Sequence, residues 1–166
     1  MIIIGVLVRL DSHGPIIHWS SRVGIGNTIF RMPKFRTMRV DSPNVATHLL
    51  DNPDRFVTPV GHILRKLSLD ELPQIFSVLK GDMSLVGPRP ALFNQDDLVA
   101  LRTAKGVHRL LPGLTGWAQV NGRDELPIPV KVNYDAYYLQ HRSLAFDLKI
   151  ILQTLSNVVR SRGVNH

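Results

Sequence analysis

Prolines and glycines divide this chain into short segments, and that punctuation limits the fold more than any other feature. The chain has 11 prolines and 12 glycines in 166 residues. Proline fixes its own φ and biases the preceding residue away from helix, and glycine often ends a helix or forms a turn. No linker or internal repeat groups the segments into larger units. We therefore expect one compact α+β domain, mainly helical, with a small β component and amphipathic surface helices.

Hydrophobic spacing assigns the segments between these breaks to strands or helices. The predicted strands cover residues 16–19, 28–32, 35–38 and 117–120. The predicted helices cover residues 45–50, a segment starting near residue 60, and residues 68–80, 92–103, 130–140 and 144–160. Ser68 and Glu71 have the spacing of a capping box, and Gly81 supplies a stop for the helix that would follow. The glycines of residues 23–27 indicate a hairpin turn, since no Gly-Lys-Ser/Thr follows to make a phosphate loop.

The charge balance indicates an anionic partner. Lys and Arg number 20 against 13 Asp and Glu, a net charge of +7. Such an excess suits nucleic acid, an anionic bilayer or a phosphorylated substrate, and composition does not choose among them. The basic residues are scattered, with no aromatic-rich strand and no recognition helix, so we expect no nucleic-acid partner. The chain has no cysteine and no histidines at metal-ligand spacing, which argues against thiolate and zinc sites.

The N-terminal run of residues 1–8 is strongly apolar and too short to cross a bilayer, which takes about 20 residues. Two interpretations stay open from the pattern alone. The run is either an N-terminal core strand or the last part of a membrane-inserted helix.

Two adjacent carboxylates, Asp70 and Glu71, are the main candidates for chemistry. The simpler interpretation is structural, because acids in a first helical turn complement the helix dipole. The functional interpretation adds the cations Arg65, Lys66 and Arg89, which would keep a carboxylate ionised at neutral pH. Such a carboxylate could attack phosphorus or hold a divalent cation.

Three basic positions also have two interpretations each. Arg89 lies between two prolines, where a rigid backbone suits a side chain that grips phosphate, although it could instead cap helix carbonyls. Lys34 and Arg36 alternate along a predicted strand and share one face, which is also typical of a solvated strand face. A second Asp-Glu-Leu-Pro at residues 124–127 precedes Ile-Pro, and it indicates a coincidental loop or at most part of a pocket rim.

Four long motifs, taken in order, resemble the bacterial sugar transferase family. They are Lys-Phe-Arg-Thr-Met at residues 34–38, the segments 64–74 and 80–90, and the segment 112–123. The similarity extends from about Asp11 to Arg160. Members are small monotopic phosphoglycosyl transferases that begin lipid-linked glycan assembly for O-antigen, capsule or exopolysaccharide.

The resemblance implies a two-step transfer of sugar-1-phosphate from a UDP-sugar to undecaprenyl phosphate. Asp70 matches the family's nucleophile, which would attack the β-phosphate and release UMP. Glu71 matches the second member of the dyad and would assist proton handling or position the acceptor. Mg²⁺ is the family's cofactor, with Asp70 as its contact.

The resemblance also assigns substrate-binding residues and a substrate class. The assigned residues are Lys34, Arg36, Arg65, Arg89, Arg123 and Asp147. Of these, Lys34, Arg65 and Arg89 match basic positions expected to hold phosphates. Residues 91–97 resemble the branch of the family that handles N-acetylated amino sugars.

The implied organisation is a remnant of a re-entrant membrane helix at residues 1–10 and a catalytic domain at residues 11–166. Location at the cytoplasmic face of the bacterial inner membrane follows from the resemblance, and a homodimer is left open. The alternative is a non-catalytic module of this ancestry that binds a membrane surface or another protein.

Overall fold

The computed structural model describes residues 1–42, 55–122 and 126–159. Its helices are α1 (Ile2–Asp11), α2 (Pro59–Lys66), α3 (Ile75–Lys80), α4 (Asp96–Ala104), α5 (Trp117–Val120), α6 (Ile128–His141) and α7 (Leu144–Val159). Its strands are β1 (Ile17–Val23), β2 (Ile29–Phe35), β3 (Ser84–Val86) and β4 (Gly113–Thr115). Helix dominates and the sheets are small, which confirms the predicted α+β fold.

Strands β1 and β2 form an antiparallel hairpin whose register runs from Ile17 opposite Phe35 to Val23 opposite Ile29. A short 3₁₀ turn over Ile25–Asn27 joins them, which confirms the predicted hairpin turn. The prediction of separate strands at 28–32 and 35–38 is wrong. Strand β2 runs through Pro33, and a proline is tolerated there because both strands of a two-stranded sheet are edges.

The predicted continuous helix at residues 68–80 is also wrong in its first half. Leu69–Gln74 is a 3₁₀-helix, and α3 begins only at Ile75. In an α-helix the ring of Pro73 would clash with the carbonyl of Leu69, four residues earlier, so a 3₁₀-helix forms here instead. Ser68 is left-handed at φ 54° and its side chain makes no capping hydrogen bond, so the capping box does not form. Gly81 ends α3 at φ 87°, as predicted.

Residues 117–120 form the short helix α5, not the predicted strand, and Trp117 packs among the rings of Tyr134, Tyr137 and Phe146. The strand of this region is β4, which pairs in parallel with β3. Glycine allows the backbones on the two sides of this pairing to approach closely. A Cβ on Gly113 would lie 2.1 Å from the backbone nitrogen of Gly87.

The remaining helix predictions agree with the structure, apart from one boundary. Helices α2, α6 and α7 begin within two residues of the predicted starts. Helix α4 starts at Asp96 instead of residue 92, because Leu92 and Gln95 form a turn closed by their own hydrogen bonds. The helix predicted at residues 45–50 lies outside the described residues.

Residues 2–8 belong to helix α1, so the interpretation of the N-terminal run as a core strand is wrong. Val8 packs with Phe35 and Leu64 in a buried cluster that joins α1 to β2 and α2. Ile2 and Ile3 remain exposed on the other side of the helix. In the ranges that the structure describes, no helix is both long and apolar enough to cross a bilayer.

The left-handed backbone of Ser68 can be tested by its effect on stability. We expect Ser68→Ala to leave the free energy of unfolding within about 0.5 kcal/mol of wild type, since the buried Oγ has no hydrogen-bond partner to lose in the described part of the chain. We expect Ser68→Gly to be about 1 kcal/mol more stable than wild type, because glycine relieves the left-handed strain. Urea unfolding followed by circular dichroism measures both values.

A capping role for Ser68 would give a different pattern. Both variants would then be less stable than wild type, with the alanine variant losing about 1 kcal/mol.

Candidate functional site

The candidate site forms where four segments bring charged side chains together. Strand β2 supplies Lys34, helix α2 supplies Arg65, the 3₁₀-helix supplies Asp70 and Glu71, and the loop after β3 supplies Arg89. Lys34 Nζ donates to Glu71 Oε1 at 2.9 Å, and Arg89 Nη2 donates to the same oxygen at 3.1 Å. One carboxylate therefore joins the strand, the 3₁₀-helix and the loop.

Asp70 is buried, with only 5% of its surface exposed. Its Oδ1 has no hydrogen-bond partner among the described residues. Burial raises the pKa of Asp70 above its ordinary value and outweighs the opposing positive charge of Lys34. The neighbouring charge of Glu71 raises the pKa further, while Arg65 and Arg89 lower it.

The direction of this shift shows that burial acts on Asp70 as well as the flanking cations do. The cations lower its pKa, and burial has the larger, opposite effect. Lys66, one of those expected cations, is exposed on α2, whereas Lys34 of β2 takes part instead. A carboxylate of raised pKa is more basic, and once ionised it is the stronger nucleophile.

The two carboxylates have different surroundings and suit different tasks. Glu71 Oε1 is occupied by two cations, so it holds the basic side chains in place. Asp70 faces the field of the same cations, and within the described ranges its Oδ1 has no hydrogen-bond partner. Asp70 is therefore the carboxylate available to react with, or bind, an incoming group.

Arg65 is oriented by Thr37, a residue that no spacing or charge pattern in the sequence indicated. Its Nε donates to Thr37 Oγ1 at 2.9 Å. Gln74, also missed, is buried four residues after Asp70, and its Nε2 has no partner in the described part of the chain. The sequence signal for Thr37 and Gln74 was their position, because they lie inside the motifs 34–38 and 64–74.

Two of the predicted substrate-binding residues make other contacts. Arg36 Nη2 donates to Ser12 Oγ at 2.8 Å, at the end of α1. Asp147 Oδ1 accepts from the Tyr138 hydroxyl at 2.8 Å, and burial together with this carboxylate raises the pKa of Tyr138. Arg123 lies outside the described residues. The structure thus brings Lys34, Arg65 and Arg89 to the carboxylates and directs Arg36 and Asp147 elsewhere.

The site fits Mg²⁺ only as an ion shared with a substrate. The described residues contain no group of three His, Asp or Glu side chains that could hold a metal by themselves. Mg²⁺ is usually bound through one or two carboxylates together with substrate phosphates. The Oδ1 of Asp70, which is buried and has no partner among residues 1–42, 55–122 and 126–159, suits such a ligand.

Comparison with known proteins gives the family. A family model described as bacterial sugar transferase matches residues 1–161. The chain belongs to the bacterial sugar transferase family. This confirms the resemblance of the four motifs, and it places the Asp70–Glu71 pair inside the matched region.

Three relatives of this sugar transferase are each about 40% identical to it. A UDP-N-acetylgalactosamine-undecaprenyl-phosphate N-acetylgalactosaminephosphotransferase of Aeromonas hydrophila is 39% identical, over 98% of this chain and 40% of its own length. The sugar transferase EpsL of Bacillus subtilis is 41% identical, over 95% of this chain and 77% of its own length. A UDP-glucose:undecaprenyl-phosphate glucose-1-phosphate transferase of Xanthomonas campestris is 41% identical, over 96% of this chain and 34% of its own length.

The sugar transferase chain therefore spans less than half the length of two of these three relatives. It covers about three quarters of the third.

Burial of Asp70 predicts a pH-dependent gain in stability from Asp70→Asn. A carboxyl whose pKa is raised by folding binds its proton more tightly in the native state, so its ionisation costs stability as pH rises above the ordinary value of 3.8. We expect the variant to have the higher melting temperature at pH 7. The difference should shrink as the pH falls through the raised pKa, and it should vanish below 3.8.

Asp96→Asn is the matched control, because Asp96 is an exposed acid in the first turn of α4. It should lose up to about 0.5 kcal/mol through the helix dipole and gain nothing at pH 7. An Asp70→Asn protein less stable than wild type at pH 7 would contradict the burial argument.

Proposed function

We propose that this member of the family is a phosphoglycosyl transferase that moves sugar-1-phosphate from a UDP-sugar to undecaprenyl phosphate. The observation that carries the proposal is the contrast between the two carboxylates. Glu71 is held by two cations, while Asp70 is buried among them with an oxygen that accepts no hydrogen bond from the part of the chain that the structure describes. The relatives from Aeromonas and Xanthomonas, whose names describe transfer of this kind, support the substrate class.

In the first step, an oxygen of the Asp70 carboxylate attacks the β-phosphorus of the UDP-sugar. The bond from that phosphorus to the oxygen bridging the two phosphates breaks, and UMP leaves with the bridging oxygen. The sugar-phosphate is then esterified to Asp70. Lys34, Arg65 and Arg89 surround this carboxylate with positive charge, which suits the charge that spreads over the phosphoryl oxygens during transfer.

In the second step, a phosphate oxygen of undecaprenyl phosphate attacks the phosphorus of the aspartyl ester. The bond between phosphorus and the Asp70 oxygen breaks, which restores the carboxylate and leaves a polyprenyl diphosphate sugar. Glu71 holds Lys34 and Arg89 in position through both steps. The product would be the first lipid-linked unit of a glycan.

Mg²⁺, when bound by Asp70 and the diphosphate, would neutralise charge on the leaving UMP. The protein groups already provide part of that neutralisation, since Arg65 is held by Thr37 and Arg89 by Glu71. The remaining role for Mg²⁺ would therefore be to neutralise charge on the diphosphate.

The sugar is proposed to be an N-acetylated amino sugar, on the resemblance of residues 91–97 to that branch of the family. Overall identity does not choose the sugar. The relative named for N-acetylgalactosamine and the relative named for glucose match this chain at 39% and 41%. A panel of UDP-sugars, with and without the N-acetyl group, tests this part separately from the reaction type.

The main test uses wild-type protein, Asp70→Asn and the exposed-acid control Asp41→Asn with a UDP-sugar radiolabelled in its α-phosphate, which leaves with UMP. We expect wild type and Asp41→Asn to release UMP and gain the mass of a sugar-phosphate when no lipid is present. Asp70→Asn should lose at least about 1,000-fold in rate and form no adduct, because an amide oxygen is a poor nucleophile towards phosphorus. Intact-protein mass spectrometry and radiolabelled UMP measure the two products.

An adduct on Asp70→Asn at the wild-type rate would remove Asp70 from the role of nucleophile. A wild-type protein that released no UMP with any UDP-sugar would favour the non-catalytic module instead. Addition of undecaprenyl phosphate should discharge the wild-type adduct within the assay, and its survival would contradict the second step.

We further infer that the reaction takes place at a membrane surface, the cytoplasmic face of the inner membrane. Several helices expose apolar side chains that the domain does not cover. They are Ile2 and Ile3 of α1, Phe76 and Leu79 of α3, and Leu144, Leu148, Leu152 and Leu155 of α7. The four leucines of α7 recur at helical spacing, and the net charge of +7 suits an anionic bilayer.

Cosedimentation with phosphatidylglycerol vesicles tests this inference. We expect wild type to bind, and the double variant Leu148→Glu with Leu152→Glu to lose at least about tenfold in affinity, because the bilayer contact loses two apolar side chains. Equal binding by both proteins would exclude α7 as the membrane contact. The matched control replaces two exposed polar residues of α6, Gln140→Glu and Asn133→Glu, for the same change in charge.

A further inference from the structure

The loop that carries Arg89 is held by its backbone carbonyls. Pro88 and Pro90 have no N–H to donate, so the carbonyls are the main means of fixing the loop. Four consecutive carbonyls each accept a hydrogen bond. Pro88 accepts from the Gly113 N–H at 2.9 Å, Arg89 from Arg102 Nη1 at 2.8 Å, Pro90 from Arg22 Nη1 at 3.2 Å, and Ala91 from the Val23 N–H at 2.9 Å.

Arg102, which grips the carbonyl of Arg89 itself, is buried on α4. Its Nε and Nη2 donate to Asp135 Oδ2 on α6, at 2.9 Å and 2.7 Å. Asp135 is 1% exposed, so the ion pair lies inside the protein. Two bonds to one carboxylate fix the plane of the guanidinium and leave Nη1 directed at the loop.

A buried ion pair is weak evidence for stability, because desolvation of the two charges offsets their attraction. The buried Arg102–Asp135 pair therefore needs a role other than stability, and the hydrogen bond from Arg102 to the Arg89 carbonyl provides one. An apolar pair of similar volume could join α4 to α6, but it could not donate to that carbonyl.

We propose that the Arg102–Asp135 pair positions Arg89 for the transfer reaction. Arg102 is a positioning residue that acts through the backbone of Arg89, whose side chain reaches Glu71 beside Asp70. This inference rests on the proposed function, because its consequence is measured in that reaction. A displacement of about 1 Å at a positioning contact can cost on the order of 100-fold in rate.

The test replaces both members of the pair, since removal of one alone would leave a buried unpaired charge and could unfold the protein. Arg102→Met with Asp135→Leu keeps apolar volume between α4 and α6. We expect this double variant to melt at or above the wild-type temperature. Its single-turnover rate of UMP release should fall on the order of 10- to 100-fold.

Lys105→Met is the matched control for lost charge between the same helices. Lys105 lies three residues after Arg102 and donates to Asn133 Oδ1 on α6, but it is exposed, and its described contact is with α6 rather than the loop. Its rate should stay within about twofold of wild type, because surface contacts of this kind contribute little.

A double-mutant cycle with Arg89→Met separates positioning from a general structural role. If Arg102 acts through Arg89, adding Arg102→Met and Asp135→Leu to Arg89→Met should slow the reaction by less than about twofold further. Equal losses in both backgrounds would overturn the inference, and so would a double variant as fast as wild type. Both results require active wild-type protein, so they differ from failure of the proposed function, in which wild type releases no UMP.

Discussion

The ion pairs of Glu71 Oε1 with Lys34 and Arg89 are the contact on which the site depends. They tie strand β2, the 3₁₀-helix and the loop after β3 to a single oxygen atom. Because Glu71 takes the direct contacts, the neighbouring Asp70 feels the same cations without being occupied by them. The division of labour within the dyad therefore follows from which carboxylate the cations touch.

Burial of Asp70 gives that arrangement an energetic cost. A carboxylate taken out of water and left without a hydrogen bond destabilises the folded protein, and such strain is common where a side chain is kept for reaction. Hydrogen bonds around the site hold this arrangement in place despite its energetic cost. Thr37 holds Arg65, and hydrogen bonds to four successive carbonyls hold the loop of Arg89, so both cations are kept beside Asp70.

The sequence predicts the long periodic elements and misses those set by tertiary contacts. Helices α6 and α7 and the hairpin turn follow from spacing and glycine, because their local preferences agree with the fold. The capping box fails because Ser68 is left-handed and Pro73 forces a 3₁₀-helix. Residues 117–120 read as a strand locally, but aromatic packing around Trp117 makes them helical.

The residues of the candidate site also separate into those that the sequence predicts and those that tertiary contacts determine. Spacing alone predicts that Asp70 and Glu71 are acids in the first turn of an ordinary helix. The motifs of the family are what identify them as a reactive pair. Lys34 and Arg36 differ by two positions, yet the first meets Glu71 and the second meets Ser12, which alternation on one strand face does not predict. The Arg102–Asp135 pair joins residues 33 positions apart and leaves no local signal at all.

The close approach of Gly87 and Gly113 has a consequence for how this protein tolerates change. A single methyl group at Gly113 would act as a wedge between two backbones, since its nearest neighbour is a main-chain atom that cannot rotate aside. The movement would pass along two residues of chain to Arg89. A survey of all single substitutions would therefore find inactive variants at Gly113, a residue with no side chain, because the spacing of two backbones would change there.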